Sequence, residues 1–146
     1  EKIETISLPE QNIRGKGAVF LIDTGRRRET THMVSLFMKK MKAESFSRMM
    51  QEEFIELTGL CVKNFLNSNT KLLLINIKYL SALVFKYFKP MIPLEFHGLW
   101  KKGLETNTYY LKLCGSGGGG YMLGFAEDFK IAQKTIGRRL ELVYYL

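Results

Sequence analysis

Lys112-Leu113-Cys114-Gly115-Ser116-Gly117-Gly118-Gly119-Gly120 is the stretch on which the reading of this chain turns. Five of the six residues from 115 to 120 are glycine, with Ser116 the exception. A backbone without Cβ atoms reaches left-handed conformations and can pass very close to another group. Successive exposed N–H groups in such a turn form a concavity suited to an anion. Apolar, aromatic segments flank the run, Thr108 to Cys114 before it and Tyr121 to Ala126 after it, and both read as strands. A hairpin needs only about two to five residues in its turn, and a flexible linker is not usually clamped between two such strands. No Gly-Lys-Ser/Thr ending follows, which excludes a P-loop, and the GxGxxG spacing from a strand into a helix is not met.

Outward from the loop, the period of the apolar residues assigns the remaining elements. Glu127 to Ile136 reads as a short helix and Arg138 to Leu146 as a last strand. Pro93 suits a first helical turn, so Pro93 to Leu104 is expected to be helical, with Leu94, His97 or Gly98, and Trp100 or Lys101 on successive turns. A longer helix runs from about Lys71 to Phe88, with Leu73, Asn76 or Ile77, Leu80, Val84 and Tyr87 inward, Ser68 or Asn69 as its cap and Lys89-Pro90 as its stop. Phe46, Met49, Met50, Phe54, Leu57, Cys61 and Phe65 repeat at helical spacing. So do Met33, Phe37 and Met41, after Thr30 or Thr31 as N-cap. Lys2 to Leu8 and Ala18 to Asp23 read as strands, the second buried. The order is therefore strand-strand, four helices, strand-strand, helix, strand. It predicts one α+β domain over residues 1–146, an antiparallel sheet packed against helices.

A chain of 146 residues is long enough to bury a core. It opens at Glu1 without an initiator Met or a signal segment, which fits a trimmed N-terminus. The net charge of +8 favours anionic partners. Lys and Arg are scattered, with short clusters only at Arg26 to Arg28, Lys39 to Lys42 and Arg138 to Arg139, which argues against nucleic acid. The most apolar stretch, Leu72 to Phe85, carries Asn76 and Lys78 and falls short of the roughly 20 residues that span a bilayer, so no membrane partner is expected. Cys61 and Cys114 have neither disulfide nor zinc spacing, which points to a reducing, cytoplasmic compartment. His32 and His97 have no partners at metal-ligand spacing. The Met and Phe residues of the first helices read as core, although an exposed Met-rich stripe could serve as a homodimer face.

The glycine run with its following strand, Tyr121-Met122-Leu123-Gly124-Phe125-Ala126, resembles the third conserved motif of the galactokinase, homoserine kinase, mevalonate kinase and phosphomevalonate kinase (GHMP) superfamily. The usual form of that motif is Lys-Leu-Thr-Gly-Ala-Gly-Gly-Gly-Gly. Cys114 stands here where Thr is common and Ser116 where Ala is common; both replacements are small, so the loop shape should survive, but any hydrogen bond of the Thr hydroxyl is lost. Leu21-Ile22-Asp23-Thr24-Gly25, followed by Arg28, Thr30 and a helix, resembles the strand-turn-helix of mevalonate kinases.

The resemblance implies the C-terminal domain of such a kinase, a ferredoxin-like sandwich with extra helices. It implies transfer of the γ-phosphoryl group of ATP to a small-molecule alcohol, mevalonate first, with phosphomevalonate, galactose or another sugar as alternatives. Gly115, Ser116, Gly117, Gly118, Gly119 and Gly120 would lie by the phosphates, and Arg28 and Thr30 would face the acceptor. Arg offers a planar fork to a carboxylate, and a helix N-terminus favours negative charge. ATP and Mg2+ would be held mainly by an N-terminal domain outside this chain, together with the catalytic residues, so the chain alone is expected to be inactive. Asp23 is expected to cap a turn and Cys114 to be a passive small residue. The rival reading is a non-catalytic basic α+β binding module that stacks a partner on Tyr109, Tyr110, Tyr121 and Phe125.

Overall fold

The computed structural model of the chain describes residues 3–146. Four strands, β1 (Ala18–Asp23), β2 (Tyr110–Leu113), β3 (Tyr121–Ala126) and β4 (Glu141–Tyr145), form one sheet in the order β2-β3-β1-β4. Every neighbouring pair is antiparallel, with Phe20 opposite Gly124, Leu111 opposite Gly124 from the other side, and Val19 opposite Tyr144. The register shifts between Val19 and Phe20, which pair with Tyr144 and Leu142, so Val143 is an extra residue that bends β4 against β1. This strand order, with a helix between β3 and β4, is that of a ferredoxin-like sandwich whose first helical connection has expanded.

That connection holds α1 (Thr30–Met41), α2 (Glu44–Met49), α3 (Ile55–Leu66), α4 (Thr70–Tyr87) and α5 (His97–Thr106). A single π-helical turn, Met50–Phe54, joins α2 to α3, so the helix read from Phe46 to Phe65 is continuous but locally widened. Asn69 caps α4 by accepting the Leu72 N–H at 3.2 Å. Asp128 caps α6 (Phe129–Ile136), accepting from Lys130 and Ile131, and Gly137 in the left-handed region ends it.

Alternate residues of the strands face two helical layers. Phe20, Ile22, Met122, Ala126, Leu111 and Leu113 pack toward α5, α6 and the end of α4. Val19 and Phe125 pack toward Cys61 of α3 and Leu73, Ile77 and Leu80 of α4. Trp100 and Tyr109 are fully buried, yet their polar ends are satisfied: the indole N–H donates to the Ser81 carbonyl at 3.0 Å and the phenol to the Leu99 carbonyl at 2.6 Å.

The structure departs from the sequence reading at several places. Residues 3–8 form no strand; Ile3, Ile6 and Leu8 are exposed, and Lys2 lies outside the described residues. Their spacing is not a strict alternation and β4 already occupies the edge beside β1. The chain that follows residues 3–8 is tied to β4 by isolated bonds, the Tyr144 hydroxyl to the Pro9 carbonyl, the Tyr145 N–H to Gln11 Oε1 at 2.9 Å and the Asn12 N–H to the Tyr145 carbonyl at 3.3 Å. The helix expected from Pro93 starts at His97, because Pro93 is extended (φ −53°, ψ 134°) and a 3-10 turn over Leu94–Phe96 intervenes. That shift leaves Leu94 exposed and places Phe96 in the core. Thr30 does not cap α1: it is the first helical residue, behind Glu29, which makes no side-chain cap bond. β2 and β4 begin at Tyr110 and Glu141, later than their apolar runs. Among the described residues, no helix is long and apolar enough to cross a membrane.

Candidate functional site

The glycine run turns the chain from β2 into β3, and its backbone requires glycine. Gly115, Gly117, Gly118 and Gly120 have φ between +63° and +77°, and Gly119 has φ +153°. Crowding adds to the requirement. A Cβ at Gly117 would lie 2.7 Å from the Met91 carbonyl oxygen, one at Gly118 2.7 Å from Met33 Cγ, and one at Gly119 2.6 Å from the Arg27 carbonyl oxygen.

Two amides of the loop hold it in place. Gly118 N–H donates to the Met91 carbonyl at 2.7 Å and Gly120 N–H to the Arg26 carbonyl at 2.8 Å. Thr24 closes the other side, donating from both its N–H (2.9 Å) and its hydroxyl (2.6 Å) to the Gly120 carbonyl. Its hydroxyl in turn accepts from Arg26 N–H at 3.3 Å. Asp23 Oδ1 accepts the Gly25 N–H at 2.9 Å, the turn cap anticipated for it. The loop is therefore pinned against the β1–α1 turn. Among the described residues, the amides of Gly115, Ser116, Gly117 and Gly119 have no protein acceptor.

Arg28 reaches the same place. A Cβ built on Gly115 would sit 3.3 Å from Arg28 Nη1, and one on Gly120 3.5 Å from Arg28 Nε, so the guanidinium spans the loop where side chains would otherwise stand. Among the described residues Arg28 forms no ion pair; Arg26 pairs instead with Glu95. The Glu95 carboxyl is held below the usual carboxylate range by a bond to its own backbone N–H, with Arg26 and Arg138 adding to the effect. Two residues beyond Arg28, α1 begins at Thr30 with no acidic residue in its first turn, so the positive end of a twelve-residue helix adds to the field. Free amides, an unpaired guanidinium and a helix N-terminus meet at one end of the sheet, an arrangement that can hold an anion of phosphate chemistry.

Of the residues singled out from sequence, the structure brings Gly115 to Gly120 and Arg28 together. Thr30 is exposed on the first turn of α1 with no hydrogen bond to the loop. Ser116 contributes a single weak contact, from its hydroxyl to the Gly117 carbonyl at 3.5 Å. Cys114 is half-buried at the loop's entrance. His97 is structural: Nε2 lies 2.9 Å from the Ile92 carbonyl and 3.1 Å from that of Lys89. His32 is exposed. Among the described residues no group of three His, Cys, Asp or Glu could hold a metal. The stacking surface that a binding module would use is not presented by its four aromatics. Tyr109 and Phe125 are buried and Tyr110 half-buried, which leaves Tyr121 exposed. Thr24 was missed as a loop clamp although it lies inside the quoted Leu-Ile-Asp-Thr segment; the Met91 carbonyl, which anchors Gly118, had no sequence signal.

This architecture, an antiparallel four-stranded sheet with the glycine loop between its β2 and β3 and helices packed on it, is an α+β fold with counterparts among solved structures. Among solved structures, the chain is similar to the Streptococcus pneumoniae phosphomevalonate kinase in complex with phosphomevalonate and AMPPNP. The TM-score is 0.64 at 15% identity over 89% of this chain and 39% of that one. It is also similar to a Lin0012 protein from Listeria innocua, with a TM-score of 0.68 at 16% identity over 94% of this chain and 42% of the other. At these identities the likeness is one of fold, and the chain spans about two fifths of the length of each. No protein-family model matches the chain. No curated protein sequence matches it.

Proposed function

We propose that this chain is the C-terminal half of an ATP-dependent small-molecule kinase that phosphorylates an alcohol group on an anionic metabolite, with mevalonate the first candidate. The observation that carries the reading is the Arg28 guanidinium lying across a glycine loop with unengaged amides, at the end of the sheet where α1 begins. Such a group of donors stabilises the negative charge that a phosphoryl group spreads over its oxygens during transfer, and this class of reaction relies mainly on positioning and electrostatics.

ATP supplies the phosphoryl group, and the loop offers its phosphates the unengaged amides of Gly115, Ser116, Gly117 and Gly119. Arg28 orients the carboxylate or phosphate of the acceptor, and Thr30 stands at the acceptor's rim. On this reading magnesium and the catalytic acid–base groups belong to an N-terminal domain. Phosphomevalonate, which would accept the group on its phosphate instead of an alcohol, is the second acceptor to test, favoured by the fold shared with the S. pneumoniae enzyme.

The test is ATP-dependent phosphorylation by the full-length protein of mevalonate, phosphomevalonate, galactose and homoserine, with the 146-residue chain run beside it. Turnover of mevalonate by the full-length protein alone supports the reading. Turnover of another member of the panel keeps the kinase class and replaces the acceptor, and no turnover of any removes the proposal.

A further inference from the structure

The sheet face that carries Val19 and Phe125 is not fully closed by α3 and α4. Between α3 and the strands β1, β3 and β4 lies a cleft of about 370 Å³. Its floor is formed by Val19, Cys61 and Phe125, all buried. Val62 of α3 stands exposed on one side of its rim and Val143 of β4 on the other. Val143 is the extra residue of the β4 register shift, and a bulge of that kind re-aims a side chain. The rings of Phe65 and Tyr144, which also line the cleft, meet edge to face with centroids 5.1 Å apart. Protein interiors are packed too densely to leave such a space by default, and the volume falls within the usual range for small-molecule sites. None of Gly115 to Gly120 lines it, so it is separate from the candidate phosphate site.

The polar side chains of the lining are already engaged. The Thr58 hydroxyl donates to the Phe54 carbonyl at 2.8 Å, the Tyr144 hydroxyl to the Pro9 carbonyl, and Lys112 Nζ to the Leu113 carbonyl at 3.1 Å. Among the described residues no carboxylate lines the cleft, which leaves the Cys61 thiol, a weak donor, on its floor. Burial pushes that thiol up to about 11, and the charge of Lys112 offsets only part of the effect, so the floor disfavours a negative charge. An occupant therefore gains from apolar contact and loses by carrying a charge. The size of the opening limits it further. The exposed apolar side chains at the mouth are Leu8, Val62 and Val143, far short of the roughly 800 Å² per partner that a stable protein interface buries.

We propose that this cleft binds a small neutral apolar molecule, held by contact with Val19, Val62, Leu123 and Val143 and by no hydrogen bond. An apolar cavity of about 150 Å³ admits benzene, so the space here suits a molecule about twice that size. The proposal does not rest on the kinase reading, because neither the glycine loop nor Arg28 takes part in it.

The experiment is titration of the full-length protein, labelled at its Ile, Leu and Val methyl groups, with naphthalene within its solubility, followed by NMR. Cross-relaxation from naphthalene protons should reach the methyls of Val19, Val62, Leu123 and Val143. Benzene should bind at least about tenfold more weakly, because it buries less apolar surface. The same should hold for 2-naphthoate, whose carboxylate would enter the cleft without a free partner. Val62→Trp, at an exposed position of α3, should cover the mouth and weaken naphthalene at least about tenfold while the circular dichroism spectrum stays unchanged. Naphthalene at ten times its Kd should slow iodoacetamide labelling of Cys61 about tenfold, since reaction requires the ligand-free chain to open. Cross-relaxation to Val34 on α1 instead, 2-naphthoate binding as tightly as naphthalene, or indifference of a folded Val62→Trp protein would each overturn the proposal. So would cross-relaxation from Ile3 or Ile6 to Val62 in the ligand-free protein, which would make the chain's own N-terminal segment the occupant.

Discussion

Replacing Gly119 by alanine tests how tightly the glycine loop is seated against the β1–α1 turn. The added methyl group would lie 2.6 Å from the Arg27 carbonyl oxygen, 2.9 Å from the carbon of that carbonyl and 3.0 Å from the Arg26 carbonyl oxygen. All three are main-chain atoms, so no rotamer change relieves the contact. The φ of +153° is itself one that a residue with a Cβ rarely adopts. Backbone strain of this kind costs on the order of 1–3 kcal/mol, and forced overpacking a similar amount, so the total loss should be about 2–5 kcal/mol. Gly25→Ala is the matched control. Its φ of +67° is also left-handed, but no atom lies within 4 Å of the position its Cβ would take. Its cost should be about 1–2 kcal/mol. Both substitutions reduce the freedom of the unfolded chain alike, so that contribution cancels in the comparison. Urea unfolding of the 146-residue chain, followed by the fluorescence of its single tryptophan, the buried Trp100, measures both. A Gly119→Ala chain no less stable than Gly25→Ala would refute the claim that the loop is clamped against residues 26 and 27.

Two other predictions concern the core. Ser81 Oγ, on α4, is buried without a hydrogen-bond partner among the described residues, so Ser81→Ala should stabilise the chain by about 1 kcal/mol in the same unfolding assay; a loss of stability would contradict that expectation. Burial pushes the Cys61 thiol up from 9.0 to about 11, only partly offset by the charge of Lys112. It pushes the Tyr109 phenol up from 10.0 to about 12, partly offset by a backbone hydrogen bond. Both folded-state values stand above the unfolded ones. The associated stability is therefore fully present below about pH 9 and lost as pH rises from there toward 12, which unfolding midpoints across that range would show. Iodoacetamide at pH 8 should accordingly modify Cys61 only at the rate of unfolding, and rapid labelling of the native chain at Cys61 would contradict its burial.

The sheet and the loop were legible from local signals. β1 and β3 are short apolar runs bounded by Gly and by turns, and the five glycines between β2 and β3 announced a backbone that no other residue could follow. The long helices were legible from their period, but the π turn inside one of them was not, because the apolar spacing through Met49, Met50 and Phe54 is compatible with an α-helix. Ile3, Ile6 and Leu8 show the opposite failure: apolar residues in extended chain form a strand only where an edge accepts them, and pairing is not a local property. Pro93 was assigned to the start of a helix when its extended ψ puts it before one. In the candidate site, Arg28 and the glycines could be named from motifs. Their contact, and the roles of Thr24 and the Met91 carbonyl in holding the loop, depend on segments brought together from more than 20 residues apart.

The most direct test of the central claim is the effect of Arg28→Ala on ATP-driven phosphorylation by the full-length protein, using whichever acceptor of the panel it turns over. Loss of charged hydrogen bonds worth roughly 1.5–3 kcal/mol should lower kcat/KM by about 10- to 100-fold. Arg28→Lys should restore only part of that, because an ammonium cannot form the guanidinium's paired bonds. The unfolding midpoint should hold steady, since the side chain is exposed and has no carboxylate partner among the described residues. An Arg28→Ala protein with wild-type kcat/KM would contradict the assignment of Arg28 and the glycine loop to phosphoryl transfer.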